Sequence, residues 1–176
     1  MEAQEFDQEF NKIIEEDKDF VNFVGDSNAE YYFNKKKKQT GDSLFPSWNF
    51  ASFFAPAYWL LYRKLYKWFI GFTAVNLVLS LLLELIGPTT AIIGNIVLAV
   101  LMGIFGNAIY ITHAKKKVTS LKAFYSQFGN EDEHIKANGG TNIVAPLVLL
   151  AISLFMALSF LIIFASFASS FANFMF

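Results

Sequence analysis

Side chains able to do chemistry are sparse in this chain and stand apart. The two histidines, His113 and His134, are not joined by a His-Glu-x-x-His, Gly-x-Ser-x-Gly or phosphate-cradling glycine pattern. There is no cysteine, so disulfides, thiolate metal sites and thiol nucleophiles are excluded. Glu131-Asp132-Glu133-His134 could attract a cation, but consecutive residues point in different directions, and the run reads as a solvated acidic loop. Glu84 is the lone Asp, Glu, Lys or Arg between Trp68 and Thr112. An acid inside an apolar stretch is a candidate for ion or proton handling. It lies so near the end of its stretch that its carboxylate reaches water, and an interfacial or helix-packing role is the simpler expectation. Arg63, Lys64 and Lys67 follow an aromatic run. They suit anchoring at a membrane surface or, more sharply, binding a lipid phosphate or an anionic partner; anchoring is the plainer reading. No nucleophile–base pair or ligand cluster emerges, so no catalytic residue, metal or cofactor is assigned, and an enzyme is not expected.

The elements that carry these residues are set by hydrophobicity. Of 176 residues, 55% are hydrophobic, 18% aromatic and only 16% charged. Soluble domains carry about 25% charged residues. From Ala137 to Phe176 there is no charged side chain. A bilayer needs only about 20 apolar residues per crossing. Three spans are predicted, Trp68 to Ile86, about Thr90 to Thr112, and a third starting near Ile143 with Pro146 tolerated in its first turn. Gly87-Pro88 supplies a tight turn, with Thr89 or Thr90 as the cap of the second span. The third span is long for a bilayer. Its Phe160, Phe164, Phe167, Phe171 and Phe174 repeat at 4, 3, 4, 3, a heptad seam. Small residues between them, Ala165 with Ser169 and Ala168 with Ala172, suit helix contact.

The remaining segments fit the edges of such a bundle. Phe6, Phe10, Ile13, Phe20 and Val24 mark the apolar stripe of an acidic amphipathic helix over Glu2 to Val24, interrupted at Asp17 and closed by Gly25. Ser27 and Glu30 have capping-box spacing before a short helix ending in Lys35 to Lys38. That lysine run is not read as a nucleic-acid surface, because neighbouring acids cancel it and no reading module is present. Residues 45–67 form an aromatic elbow broken at Pro56, too short for a comfortable span and better suited to an interfacial or re-entrant position. Trp48, Trp59, Tyr62, Arg63, Lys64 and Lys67 are its expected membrane anchors. The fold class is therefore all-α and polytopic, divided as 1–44 cytoplasmic helices, 45–67 elbow, 68–112 transmembrane hairpin, 113–142 cytoplasmic loop and 143–176 long third helix. All 14 Lys and Arg fall before residue 68 or between 113 and 141. The positive-inside rule then puts the N-terminus in the cytoplasm and the C-terminus outside.

Polar and small residues of the hairpin lie in two stripes. Thr73, Asn76, Ser80 and Glu84 share one face of the first span; Asn95, Ala99, Gly103 and Asn107 share one face of the second. Folding at Gly87-Pro88 pairs Thr73 with Asn107, Asn76 with Gly103, Ser80 with Ala99 and Glu84 with Asn95. These faces are the predicted hairpin core.

Three segments resemble a known family. Val24-Gly25-Asp26-Ser27-Asn28-Ala29-Glu30-Tyr31-Tyr32, the run Ser47-Trp48-Asn49-Phe50-Ala51-Ser52-Phe53-Phe54-Ala55-Pro56 continuing to Tyr62-Arg63-Lys64-Leu65-Tyr66, and Gly106-Asn107-Ala108-Ile109-Tyr110 are similar to the bacterial membrane family catalogued as domain of unknown function 2628. The chain departs from its pattern at Trp48-Asn49, where the order is reversed, and at Leu65, where methionine is common. The zinc ribbon of some relatives is absent. The resemblance implies a bacterial inner-membrane protein and no particular activity. The expected role is a non-enzymatic scaffold, adaptor or accessory subunit whose partners are the lipid bilayer and another membrane protein or a second copy of itself. The alternative is a small oligomeric channel or transporter component that uses the polar faces of the first two spans.

Overall fold

In the computed structural model, residues 17–39 and 45–175 are described; all eight α-helices below lie among them. The stripe residues Phe6, Phe10 and Ile13 lie outside them. Helix α1, Lys18–Val24, begins at Asp17, whose carboxylate accepts the Phe20 amide at 3.3 Å. The residue that interrupts the apolar stripe is thus the N-cap, a position that favours Asp. Gly25 closes the helix with φ +87°. Ser27 falls in a 3-10 turn, Asp26–Asn28, and Asn28 rather than Ser27 precedes α2, Ala29–Lys38. The expected capping box is not made.

The elbow is two short helices, α3 Phe50–Phe54 and α4 Pro56–Tyr62. They break at Ala55 because Pro56 has no N–H to donate and fits the first helical position. Asn49 caps α3 by accepting the Ser52 amide at 3.0 Å. After a left-handed Lys64, α5 runs Tyr66–Glu84 and α6 runs Pro88–Tyr125. Pro88 itself is the first residue of α6, so neither Thr89 nor Thr90 caps it. Helix α6 does not stop at Thr112. It continues through Lys115 to Lys117 for 38 residues in all, about 57 Å, because nothing from His113 to Tyr125 breaks a helix. What reads in sequence as a loop over 113–142 is the end of α6, a 3-10 turn and α7, Glu131–Asn138. The acidic run forms the first turn of α7, where carboxylates oppose the helix dipole favourably. Asp132 pairs with Lys18, and Lys122 of α6 pairs with Asp19.

The chain divides into two units at Asn142. In the first, α3 and α5 lie along α6, while α1 and α7 pack together on its distal part. The core gathers Phe20, Phe23 and Val24 with Tyr32, Trp59, Leu60, Tyr110, Ile111 and Ile135. The second unit is α8, Val144–Met175, with its five seam phenylalanines exposed and Phe160 stacked on Phe164 at 6.3 Å. Three helices are long and apolar enough to cross a membrane, α5, α6 with the turn after it, and α8.

Candidate functional site

The polar interior lies beneath the elbow. Asn107, on α6, is fully buried, and a buried amide must find partners or cost stability. Its Oδ1 accepts from Asn49 Nδ2 at 2.8 Å, and its Nδ2 donates to Tyr31 Oη at 2.9 Å and Ser47 Oγ at 3.0 Å. Tyr31 Oη in turn donates to the Trp48 carbonyl at 3.4 Å. The Asn49 oxygen that caps α3 and the Asn49 nitrogen that meets Asn107 belong to one amide, so elbow and span share a single polar joint.

Backbone contacts tighten this joint. The amides of Ser47 and Asn49 donate to the carbonyls of Ile104 and Gly103 at 2.9 and 2.8 Å. Ser52 Oγ donates to the Met102 carbonyl at 2.9 Å. Three successive carbonyls of α6 thus accept from the elbow, which requires a helix surface with little on it. Gly103 and Gly106 provide that surface: a Cβ on Gly106 would stand 2.5 Å from Ser52 Oγ and 2.8 Å from Ser52 Cβ.

One turn further along α6, Tyr110 is buried against Tyr32, ring centroids 4.6 Å apart. Arg63 is only 5% exposed, its guanidinium carbon 4.6 Å from the Tyr32 ring and 5.0 Å from the Tyr110 ring. Burial pushes the Tyr32 phenol up from its ordinary range, and the nearby Arg63 charge opposes that shift. The expected surface anchor Arg63 is therefore an internal cation held between aromatic faces. Trp59 is likewise buried, packed near Tyr110, since α4 lies against α6 rather than outward. Trp48 and Lys67 are exposed; Tyr62 and Lys64 are half-buried.

The two hairpin stripes meet only in part. Asn95 Oδ1 accepts from Asn76 Nδ2 at 2.8 Å and from Ser80 Oγ at 3.2 Å, so these three come together, one to two turns away from the expected pairing of Asn95 with Glu84. Thr73 and Glu84 are exposed. Ala99 faces a depression shared with Phe53 and Phe72. Gly103 and Asn107 contact the elbow instead of α5. The physical reason is that Pro88 starts α6 immediately, which shifts the register, and that the elbow's exposed backbone donors claim the small-residue face. Signals for this lay in the sequence: Asn49 and Ser52 have N-cap spacing, and Gly103 and Gly106 lie three apart on one helix face.

The three motif segments that carried the family resemblance, around Tyr31-Tyr32, Trp48 to Arg63 and Gly106 to Tyr110, converge on this one core. Residues 12–116 match the family model described as Protein of unknown function (DUF2628). The chain belongs to this family. The DUF2628 match takes in the whole Asn107 joint and the Arg63 cradle and ends within α6, so α7 and α8 lie beyond it. No curated protein and no solved structure matches the chain.

Many of the polar side chains of the DUF2628 core bond one another or the backbone of α6. Ser52 Oγ is committed to a carbonyl. His113 lies against Phe23, and His134 stacks on Tyr125 at 3.6 Å. Among the described residues, no group of three or more His, Asp or Glu is arranged to hold a metal ion.

Proposed function

We propose that this DUF2628 protein is a non-enzymatic scaffold, adaptor or accessory subunit of the bacterial inner membrane, with the N-terminus cytoplasmic and the C-terminus outside. The observation that carries the reading is where the polar groups of the apolar helices go. Asn76 and Ser80 bond Asn95, and Asn107 bonds Asn49, Tyr31 and Ser47, all within one chain. Polar side chains used in this way give rigidity rather than a path for ions. The exposed Phe seam of α8 then offers a contact surface for a membrane partner or a second copy. The orientation rests on the placement of all 14 Lys and Arg, and the bacterial membrane on the family resemblance.

The test uses the absence of cysteine. A single Phe167→Cys variant, cross-linked in native membranes, should trap a second polypeptide, while purified protein in vesicles should pass no ions. Ion flux that falls on Asn95→Leu would overturn the scaffold reading in favour of a channel. Reporter fusions at Pro88 and Phe176 should both read as external; a cytoplasmic signal at either reverses the orientation.

A further inference from the structure

Below the left-handed turn at Lys64, basic side chains from three directions surround one cavity of about 510 Å³. Arg63, Lys64 and Lys67 reach it from the elbow and the first turn of α5, and His113 and Lys117 from one face of α6, four residues apart. Among the described residues, no Asp or Glu lines it. Lys64 is already spent: its Nζ donates to the carbonyls of Ala137 and Gly139, holding the end of α7 as one wall. Arg63 is not spent. It is 95% buried, being 5% exposed, yet its Nε and Nη1 have no hydrogen-bond partner and no carboxylate pairs with it among the described residues. The tyrosine faces around it offset part of the cost of burying a charge, but a buried cation without an anion remains expensive. The site is short of negative charge.

A second depression of about 440 Å³ adjoins the first, Lys67 and Trp68 lining both. Beyond those two residues its lining is apolar: Gly71, Phe72 and Val75 of α5 face Met102 of α6. From Lys67 to Val75 it descends about 12 Å along α5, from the charged end into the apolar stretch. Trp68 stands at the boundary, the level where tryptophan favours a membrane interface. Gly71 leaves the floor open, since a Cβ there meets nothing within 4 Å.

We propose that this composite site binds one anionic phospholipid, its phosphate held between the exposed Lys67 and Lys117, with the buried Arg63 charge behind them, and one acyl chain laid in the groove past Trp68. A free phosphate would use only the basic half. The uncharged, open groove beside it selects an amphiphile. This lipid site is independent of whether the protein acts as a scaffold or a channel.

The test is made on the purified, delipidated full chain in mild detergent. It is titrated with phosphatidylglycerol, phosphatidylcholine or inorganic phosphate, reading lipid retained by native mass spectrometry and the thermal midpoint. Phosphatidylglycerol should be retained about tenfold over phosphatidylcholine, and the exposed double variant Lys67→Gln/Lys117→Gln should lose about that factor. Gly71→Trp, which puts a bulky side chain into the groove from a position where a Cβ meets open space, should cut phosphatidylglycerol retention and leave the lipid-free midpoint unchanged. Equal retention of the two lipids, or retention indifferent to both variants, overturns the proposal. Stabilisation by inorganic phosphate equal to that by phosphatidylglycerol, with Gly71→Trp inert, also overturns it and assigns the cavity to a free anion.

Discussion

Replacing Gly106 by alanine isolates what the close approach of elbow and helix is worth. In most helices that change stabilises, by about 1 kcal/mol, because glycine is the poorer helix former. Here the new Cβ would sit 2.8 Å from Ser52 Cβ, whereas ordinary contacts begin near 3.4 Å. The elbow must retreat by roughly 0.6 Å, which stretches the Ser52 Oγ to Met102 bond from 2.9 Å to about 3.5 Å, outside good hydrogen-bond range. Losing that bond costs about 1 kcal/mol, and overpacking of this kind about 1–3 kcal/mol. After the gain in helix propensity, the net loss is about 1–3 kcal/mol, which lowers the midpoint by roughly 2–10 °C. Thermal unfolding in detergent at one fixed scan rate measures it. Gly71→Ala, where the Cβ meets open space, is the control and should be neutral or stabilising. Ser52→Gly in the Gly106→Ala background removes both clashing atoms and should recover part of the loss. If Gly106→Ala is as stable as Gly71→Ala, the elbow is not clamped to α6 and the reasoning fails.

Asn107→Leu should destabilise by about 1–3 kcal/mol, because the buried Asn49 amide loses its partner; adding Asn49→Leu should cost less than its own single effect, and simple additivity would show the two do not interact. The Tyr32 phenol, raised by burial, stays protonated in the folded chain above the unfolded value of 10.0. Its stabilising effect is full below that pH and is lost as pH climbs through the folded value, so the fall in stability above pH 10.0 should be smaller in Tyr32→Phe, followed by unfolding and by phenolate absorbance. Phe167→Glu, on the exposed seam of α8, should abolish association in the membrane, measured by cross-linking; unchanged assembly would remove the seam from the contact surface.

Hydropathy made the three long apolar helices legible, because lipid leaves few alternatives to a continuous helix. The elbow break at Pro56 and the stop at Gly25 were equally readable, each set by one residue's backbone chemistry. What escaped was decided by tertiary competition. Gly103 and Asn107 form a plausible stripe for α5, and only the folded chain shows that the elbow's backbone donors occupy it. Arg63 after a run of aromatics reads as a surface anchor, yet the aromatics that enclose it, Tyr32 and Tyr110, come from segments 31 and 47 residues away. The end of α6 is not legible because the drop in hydropathy after Thr112 marks a change of surroundings and not the end of a helix.

That continuous α6 makes the protein a lever. Its apolar part is long enough to cross about 30 Å of hydrocarbon, and the part beyond Thr112 runs about 20 Å further with α1 and α7 packed on it. The elbow grips the helix near its midpoint, at Met102 to Asn107. A membrane that thins or thickens changes the tilt of such a rod, and a change of about 10° carries its outer end sideways by about 3 Å. Any such change of tilt would carry the α1–α7 pair with the helix, since α6 is one unbroken helix from Pro88 to Tyr125.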